Sequence, residues 1–104
     1  MQDEVFARYQ VPPERRGYYT IDHLIPVELG GADLIKNLWP QLVDARPYGP
    51  TRKQLLTRKL LQLVAGNQLT LAEAQHEISD DWISSFVMRI GMVYLSPNIG
   101  APGE

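Results

Sequence analysis

The residues with the clearest chemical potential are an acid and a histidine that stand side by side, Asp22 and His23. Histidine titrates close to neutral pH and can therefore accept a proton from water, and a carboxylate is a hard oxygen ligand suited to Mg²⁺. Asn37 follows fourteen residues after the histidine, beyond the pair Gly30–Gly31. Each also has a structural interpretation: His23 can flank a turn, Asp22 can cap a strand end, and Asn37 can make local loop hydrogen bonds.

The wider sequence context resembles the HNH nuclease motif, also called the ββα-metal motif. It is similar to small bacterial HNH-like domains that carry the segments DHLIPLELGG and NLWPQ, followed by AQ and DW. The counterparts in this chain are Asp22–Gly31, Asn37–Gln41, Ala74–Gln75 and Asp81–Trp82. The resemblance extends from about Val5 to about Phe86. The combination of segments is specific, whereas DH or GG alone would be a weak signal.

The resemblance implies roles for the residues of the motif. In HNH nucleases the histidine activates water against a phosphodiester, so His23 is the expected general base, and the acid beside it, Asp22, is the expected metal ligand. Asn37 is expected either to ligate the metal through its amide oxygen or to pin the loop that orients His23. The expected ion is Mg²⁺ or Mn²⁺, because the ligands are oxygen atoms and few in number. Neighbours on a perfect strand point to opposite faces, so the resemblance also implies a distorted strand end here.

One part of the family's metal site has no counterpart in this chain. Many HNH domains place a further histidine in the following helix, and related small domains often have Lys-Asp there. The matching pair here is Lys53-Gln54, and no histidine lies between His23 and His76. Lys53 and its neighbour Arg52 are candidate cations for a substrate phosphate, with a solvated helix face as the alternative. Cysteine is absent, which excludes a structural zinc held by thiolates.

Composition and charge set the broad class of the protein. The 104 residues suit one domain, and 44% hydrophobic with 21% charged residues is typical of globular proteins. No apolar run reaches the length of a transmembrane helix, so no membrane partner is expected. The net charge of −2 does not favour a nucleic-acid binder, but residues 1–64 hold nine Lys/Arg against seven Asp/Glu. The N-terminus has no signal-peptide pattern, so a cytoplasmic protein is the default expectation, with a secreted precursor left open.

The elements that position the motif follow from periodicity and from turn signals. We predict an α+β fold for a single HNH-like domain, 1–104, with a ββα-metal core at about 18–65, a helical extension at about 70–90 and a loose tail at 96–104. Within the core, strands are expected at Tyr18–Leu24 and Asn37–Pro40, the second kept short by its proline.

Helix signals complete the predicted architecture. An N-terminal helix is expected at Asp3–Tyr9, and the helix of the core at Thr51–Ala65, with Thr51 as its N-cap. Thr70 and Glu73 fit a capping box at the start of the extension. Ser79-Asp80-Asp81 interrupts the extension, so we expect two consecutive helices or one broken helix. The apolar positions expected to face the core are Leu55, Leu56, Leu60, Leu63 and Val64 in the first of these helices and Leu71, Ala74, Ile78, Trp82 and Phe86 in the extension. Met92–Leu95 is expected to be a short strand or an ordered tail.

The resemblance and the residues together predict a metal-dependent endonuclease acting on DNA or, with less support, on RNA. Two alternatives stay open: a catalytically degenerate HNH-like domain that binds nucleic acid or a protein partner without cleavage, and a purely structural or interaction domain. If the nuclease interpretation is right, Asp22, His23 and Asn37 should converge on one solvent-open cleft. Lys53 or Arg52 should line the same cleft.

Overall fold

A computed structural model describes residues 1–92 of the chain. It is a small mixed α+β structure, as predicted, with one two-stranded antiparallel sheet and three α-helices among these residues. In chain order the elements are α1 (Gln2–Arg8), β1 (Tyr19–His23), β2 (Leu38–Leu42), α2 (Pro50–Ala65) and α3 (Leu71–Arg89). Short 3₁₀ turns lie at Pro13–Tyr18, Val27–Leu29 and Ile35–Asn37. The expected tail at 96–104 and residues 93–95 of the expected strand lie outside the described residues.

The sheet joins the two ends of the motif segment. In its antiparallel register Asp22 lies opposite Trp39 and His23 lies opposite Leu38. β2 is longer than predicted, because Pro40 does not end it. Backbone hydrogen bonds at the two ends of the sheet run from Leu24 N to Asn37 O and from Val43 N to Tyr18 O. Only alternate residue pairs of an antiparallel ladder are hydrogen-bonded, and Pro40 stands in a pair between them that is not. Its missing N–H therefore costs no ladder hydrogen bond.

α2 begins at Pro50 rather than at the predicted Thr51. Gly49 is the N-cap, and Pro50 occupies the first turn, where its missing N–H costs no intrahelical hydrogen bond. The buried face of α2 includes Leu56 and Leu60 and also, unexpectedly, Lys53. Leu55 was expected in the apolar stripe but is 42% exposed, because the buried face is rotated toward Lys53.

α3 carries the predicted cap and the predicted break. The Thr70 hydroxyl oxygen accepts from Glu73 N at 3.1 Å, and Thr70 N donates to the Glu73 carboxylate at 2.9 Å, which confirms the capping box. The helix is kinked at Asp81, whose backbone leaves helical geometry (φ −152°, ψ 84°). The Asp81 carboxylate accepts from Ser84 N at 3.1 Å and so caps the second part of the helix.

The core lies where α2 and α3 pack on each other and on the turn at Val27–Leu29. Its buried apolar side chains are Leu29, Leu56, Leu60, Ala74, Ile78 and Phe86. Leu71, expected on this face, is 45% exposed because it is the first residue of α3 and lies at the rim. The ring of Tyr48 packs edge-on against Trp82 and Phe86 and extends the core toward the sheet. No helix among residues 1–92 combines the length and apolarity needed to cross a membrane.

Candidate functional site

A pocket of about 270 Å³ opens between the end of β1 and the first turns of α2. Its walls include Asp22, His23 and Pro26 on one side and Lys53 and Thr57 on the other. His23 is the last residue of β1, and both motif residues line this pocket although they are neighbours in the chain. About three-tenths of each side chain is exposed, 28% for Asp22 and 29% for His23. Two residues of this pocket, an acid and a histidine, thus have side chains that are partly open to solvent.

Asp22 is held by two donors on one of its oxygens. Its Oδ2 accepts from the indole N–H of Trp39 at 2.9 Å, which follows from their opposed positions in the sheet. The same oxygen accepts from the Lys53 ammonium. The other oxygen, Oδ1, accepts no hydrogen bond from residues 1–92. The Oδ2 atom of Asp22 is thus already bonded to groups of the protein.

Lys53 is one of the few buried polar residues of the described chain, with only 4% of its side chain exposed. Besides the ion pair with Asp22, its ammonium donates to the backbone carbonyl of His23 at 2.6 Å. It also lies 5.8 Å from the centre of the Trp39 ring, within cation–π range. A buried lysine needs such partners, because an unpaired ammonium in the protein interior is costly. Lys53 therefore fastens α2 to the end of β1.

His23 has a partner that the sequence did not single out. Its Nε2 lies 3.1 Å from Oδ1 of Asp33, a largely exposed acid two residues after Gly31. When Nε2 carries the ring proton it donates to this carboxylate, and Nδ1 is left as an acceptor. The signal in the sequence was an acid in the glycine-bearing loop, but an exposed loop aspartate has many structural uses.

Asn37 closes the loop between the two strands instead of lining the pocket. Its Oδ1 accepts from Ile25 N at 3.0 Å, and its Nδ2 donates to Ile25 O at 3.0 Å and to Ala32 O at 2.8 Å. The amide thereby ties the end of the loop to its start at Ile25 and to Ala32, the neighbour of Asp33. Of the two roles considered for Asn37, these contacts are those of a loop pin.

The glycine pair is required by the shape of this loop. Gly30 has a left-handed backbone (φ +84°), which side chains rarely tolerate. Gly31 approaches the chain so closely that a Cβ there would lie 1.7 Å from the carbonyl oxygen of Ile25. α3 supports the same loop, because Gln75 donates to the carbonyl of Leu29 at 2.8 Å. The loop is therefore fixed by backbone contact as well as by the Asn37 clip.

Arg52 lies apart from this pocket. Its Nε donates to the carbonyl of Pro47 at 2.6 Å, and it lines a different pocket of about 260 Å³ formed by the chain around 43–55. Of the two candidate cations, Lys53 is thus the one beside Asp22 and His23. Asp22, His23 and Lys53 line one pocket, whereas Asn37, which was expected in the same cleft, does not line it and is bonded to the loop backbone instead.

The donor set fits only a weakly held metal ion. No group of three or more His, Cys, Asp or Glu side chains suited to a metal is found in the described part of the chain. Asp22 Oδ1 is an accessible oxygen, but the Asn37 amide oxygen already accepts from Ile25. One carboxylate oxygen with water in the remaining positions suits Mg²⁺ or Mn²⁺, which retain a hydration shell, and does not suit zinc.

Comparison of the chain with protein-family models, with curated proteins and with solved structures found no match. The case for a function therefore depends on the geometry of the pocket and on the motif residues that form it.

Proposed function

We propose that this chain is an HNH-type endonuclease that hydrolyses phosphodiester bonds in nucleic acid, with DNA as the favoured substrate. The observation that carries the proposal is the setting of His23. This residue lines the pocket beside Asp22, its side chain is partly exposed, and the Asp33 carboxylate lies against one of its ring nitrogens. The order of β1, β2 and α2 also agrees with the ββα arrangement that the resemblance implies. A base that is oriented by one nitrogen and open at the other suits proton abstraction from water.

In the proposed reaction His23 acts through Nδ1, since Nε2 is held by Asp33. The oxygen of a water molecule bonds to phosphorus as its proton passes to Nδ1. The bond between phosphorus and the leaving sugar oxygen breaks, and that oxygen then takes a proton from solvent. Asp22, through Oδ1, is the residue that would hold Mg²⁺ or Mn²⁺, and the ion would supply positive charge for the phosphate. Lys53 also lines the pocket, with its ammonium on the other oxygen of Asp22, Oδ2.

Plasmid nicking tests the proposal. Wild-type protein is assayed with Mg²⁺, Mn²⁺, Ni²⁺ or Zn²⁺ and with EDTA, beside His23→Ala and the matched control His76→Ala. His76 is the other histidine of the chain and is exposed on α3, away from the pocket. We expect His23→Ala to lower the nicking rate about 10²–10⁴-fold, the usual cost of losing a general base. Nicking by His23→Ala within a few-fold of His76→Ala would refute the assignment.

A second candidate function is binding of nucleic acid without cleavage. The observation in its favour is the ion pair of Lys53 with Asp22, which occupies part of the carboxylate that a catalytic metal would need. Binding and cleavage can be measured on one preparation of the protein. Fluorescence anisotropy that detects DNA binding, with no nicking under any of the metal ions, would support the binding domain over the nuclease.

A further inference from the structure

We propose that the Lys53 ammonium is the resident cation of the pocket and competes with divalent metal ions for Asp22. The inference rests on the proposed role of Asp22 as the metal ligand and adds a regulatory element to that site. A divalent ion reaches Asp22 fully only when the ammonium is displaced. The free protein should therefore bind such ions weakly, and removal of the ammonium should strengthen binding.

The contacts of Lys53 are those of a cation in an oxygen site. Its ammonium contacts a carboxylate oxygen of Asp22 and the backbone carbonyl of His23. Carboxylate and backbone carbonyl oxygens are also the ligand types that hard divalent ions use. The ammonium thus occupies oxygens that could otherwise join Asp22 Oδ1 in holding a metal ion.

The position of the ammonium is fixed by the helix that carries it. Lys53 N donates to the carbonyl of Gly49 at 3.0 Å, and Lys53 O accepts from the Thr57 hydroxyl at 2.9 Å, so the residue lies in a well-bonded first turn of α2. Its side chain is 4% exposed, and its ammonium is bonded to both Asp22 Oδ2 and His23 O. Leaving Asp22 would deprive a buried ammonium of its counter-ion, which is costly.

Repulsion between like charges makes the two cations compete. A divalent ion on Asp22 would lie within a few ångströms of the ammonium, where repulsion is only partly screened. Lys53→Met removes the charge and keeps a stem of similar length in the pocket. Asp22 Oδ2, which keeps its hydrogen bond from Trp39, and the His23 carbonyl are then freed of the ammonium, so the affinity for a divalent ion should rise by about tenfold or more.

The test measures Mn²⁺ binding in the absence of nucleic acid, by electron paramagnetic resonance of the free ion. Wild type is compared with Lys53→Met, with Lys59→Met as the control on the same helix, and with Lys53→Met/Asp22→Asn. We expect tighter binding in Lys53→Met alone, abolished when Asp22 is also changed. Equal affinity in wild type and Lys53→Met, or a gain that survives Asp22→Asn, would overturn the proposal. Circular dichroism establishes that each variant is folded.

A second measurement uses wild type alone and can overturn the proposal even if Lys53→Met does not fold. Mn²⁺ broadens the backbone amide signals of residues near its binding site. Asp44 is the reference, because its side chain is 94% exposed. We expect the Asp22 and His23 amides to broaden no earlier in the titration than the Asp44 amide; selective early broadening at Asp22 and His23 overturns the competition.

Plasmid nicking tests the proposed nuclease activity independently of the Mn²⁺ measurements. A protein that shows the Mn²⁺ competition but nicks no plasmid refutes the nuclease and leaves the competition supported. A protein that nicks plasmid while Lys53→Met binds Mn²⁺ no better than wild type supports the nuclease and refutes the competition.

Discussion

Asn37 and Ile25 are joined by reciprocal hydrogen bonds, each 3.0 Å long, between the asparagine amide and the N–H and C=O of the isoleucine backbone. A third bond from the same amide reaches Ala32 O at 2.8 Å. One side chain therefore satisfies three backbone groups of the loop that carries Asp33, two at its start in Ile25 and one in Ala32, beside Asp33. The arrangement makes Asn37 a determinant of the loop's shape.

Asn37→Ala should lower the free energy of unfolding by about 1–3 kcal/mol, because it leaves partly buried backbone groups without partners. Asn37→Asp should not restore stability, since a carboxylate cannot donate to the carbonyls of Ile25 and Ala32. Urea denaturation measures the free energy of unfolding of both variants, with Lys36→Ala at the neighbouring exposed position as the control. An Asn37→Ala protein as stable as the control would show that the clip contributes little.

Gly31→Ala should be among the most destabilising single substitutions in the chain. Its Cβ would meet the Ile25 carbonyl oxygen at 1.7 Å, so the backbone must move, at a cost of more than about 3 kcal/mol. Gly17→Ala is the matched control, because nothing lies within 4 Å of a Cβ there and its effect should stay within about 0.5 kcal/mol. Thermal unfolding of the two variants side by side checks the difference. Similar melting temperatures would contradict the close approach at Gly31.

Asp33→Ala should change the ring tautomer of His23. The carboxylate near Nε2 favours the proton on that nitrogen, so its removal should shift the neutral ring toward a mixture of tautomers. Nitrogen-15 chemical shifts of the His23 ring report this directly, with Asp44→Ala as an exposed-acid control. If the protein is a nuclease, nicking should fall by about 10- to 100-fold, as for other groups that orient a functional histidine. An unchanged tautomer would refute the orienting role of Asp33.

The ion pair of Glu77 with Arg89 should make stability depend on pH in the acid range. The hydrogen bond from Arg89 holds the pKa of Glu77 below its ordinary value, an effect opposed by partial burial and reinforced by the Ser85 hydroxyl. The folded-state pKa is depressed, so the stabilisation is fully present above the unfolded-state pKa and is lost as pH falls through the folded one.

Glu77→Gln should remove that dependence. Urea unfolding of wild type and Glu77→Gln, measured from neutral pH downward, should show a difference in stability that narrows below the ordinary pKa of a glutamate. A difference that is constant over the whole acid range would show that Glu77 contributes through packing and not through its charge.

Local signals predicted much of the fold. The capping box at Thr70 and Glu73 and the break near Asp81 were readable because both are formed by residues close in the chain. Strand and helix positions were right to within a few residues. Their ends were less predictable: Pro40 continues β2 because the register places it between ladder hydrogen bonds, and register is a property of both strands.

The site was only partly predictable for the same reason. The neighbours Asp22 and His23 were identified by their types, and the pocket does contain both. Lys53 was expected as an exposed or phosphate-facing cation. It is instead buried and forms an ion pair with Asp22, which lies 31 residues earlier in the chain. Asp33 was missed as a partner of His23, because only the closed loop brings it to the ring. Contacts of this kind depend on tertiary structure and have no signature in spacing.

Because Lys53 is buried, the rate at which its amine reacts depends on how often the surrounding structure opens. The chain has three lysines, and the other two, Lys36 and Lys59, are more accessible than Lys53. Amine-acylating reagents should therefore modify those two first and reach Lys53 only when α2 separates from the end of β1. The extent of acylation at Lys53, read by peptide mass spectrometry, would record how often α2 separates from the end of β1 in solution, at a position where the protein already carries the reactive group.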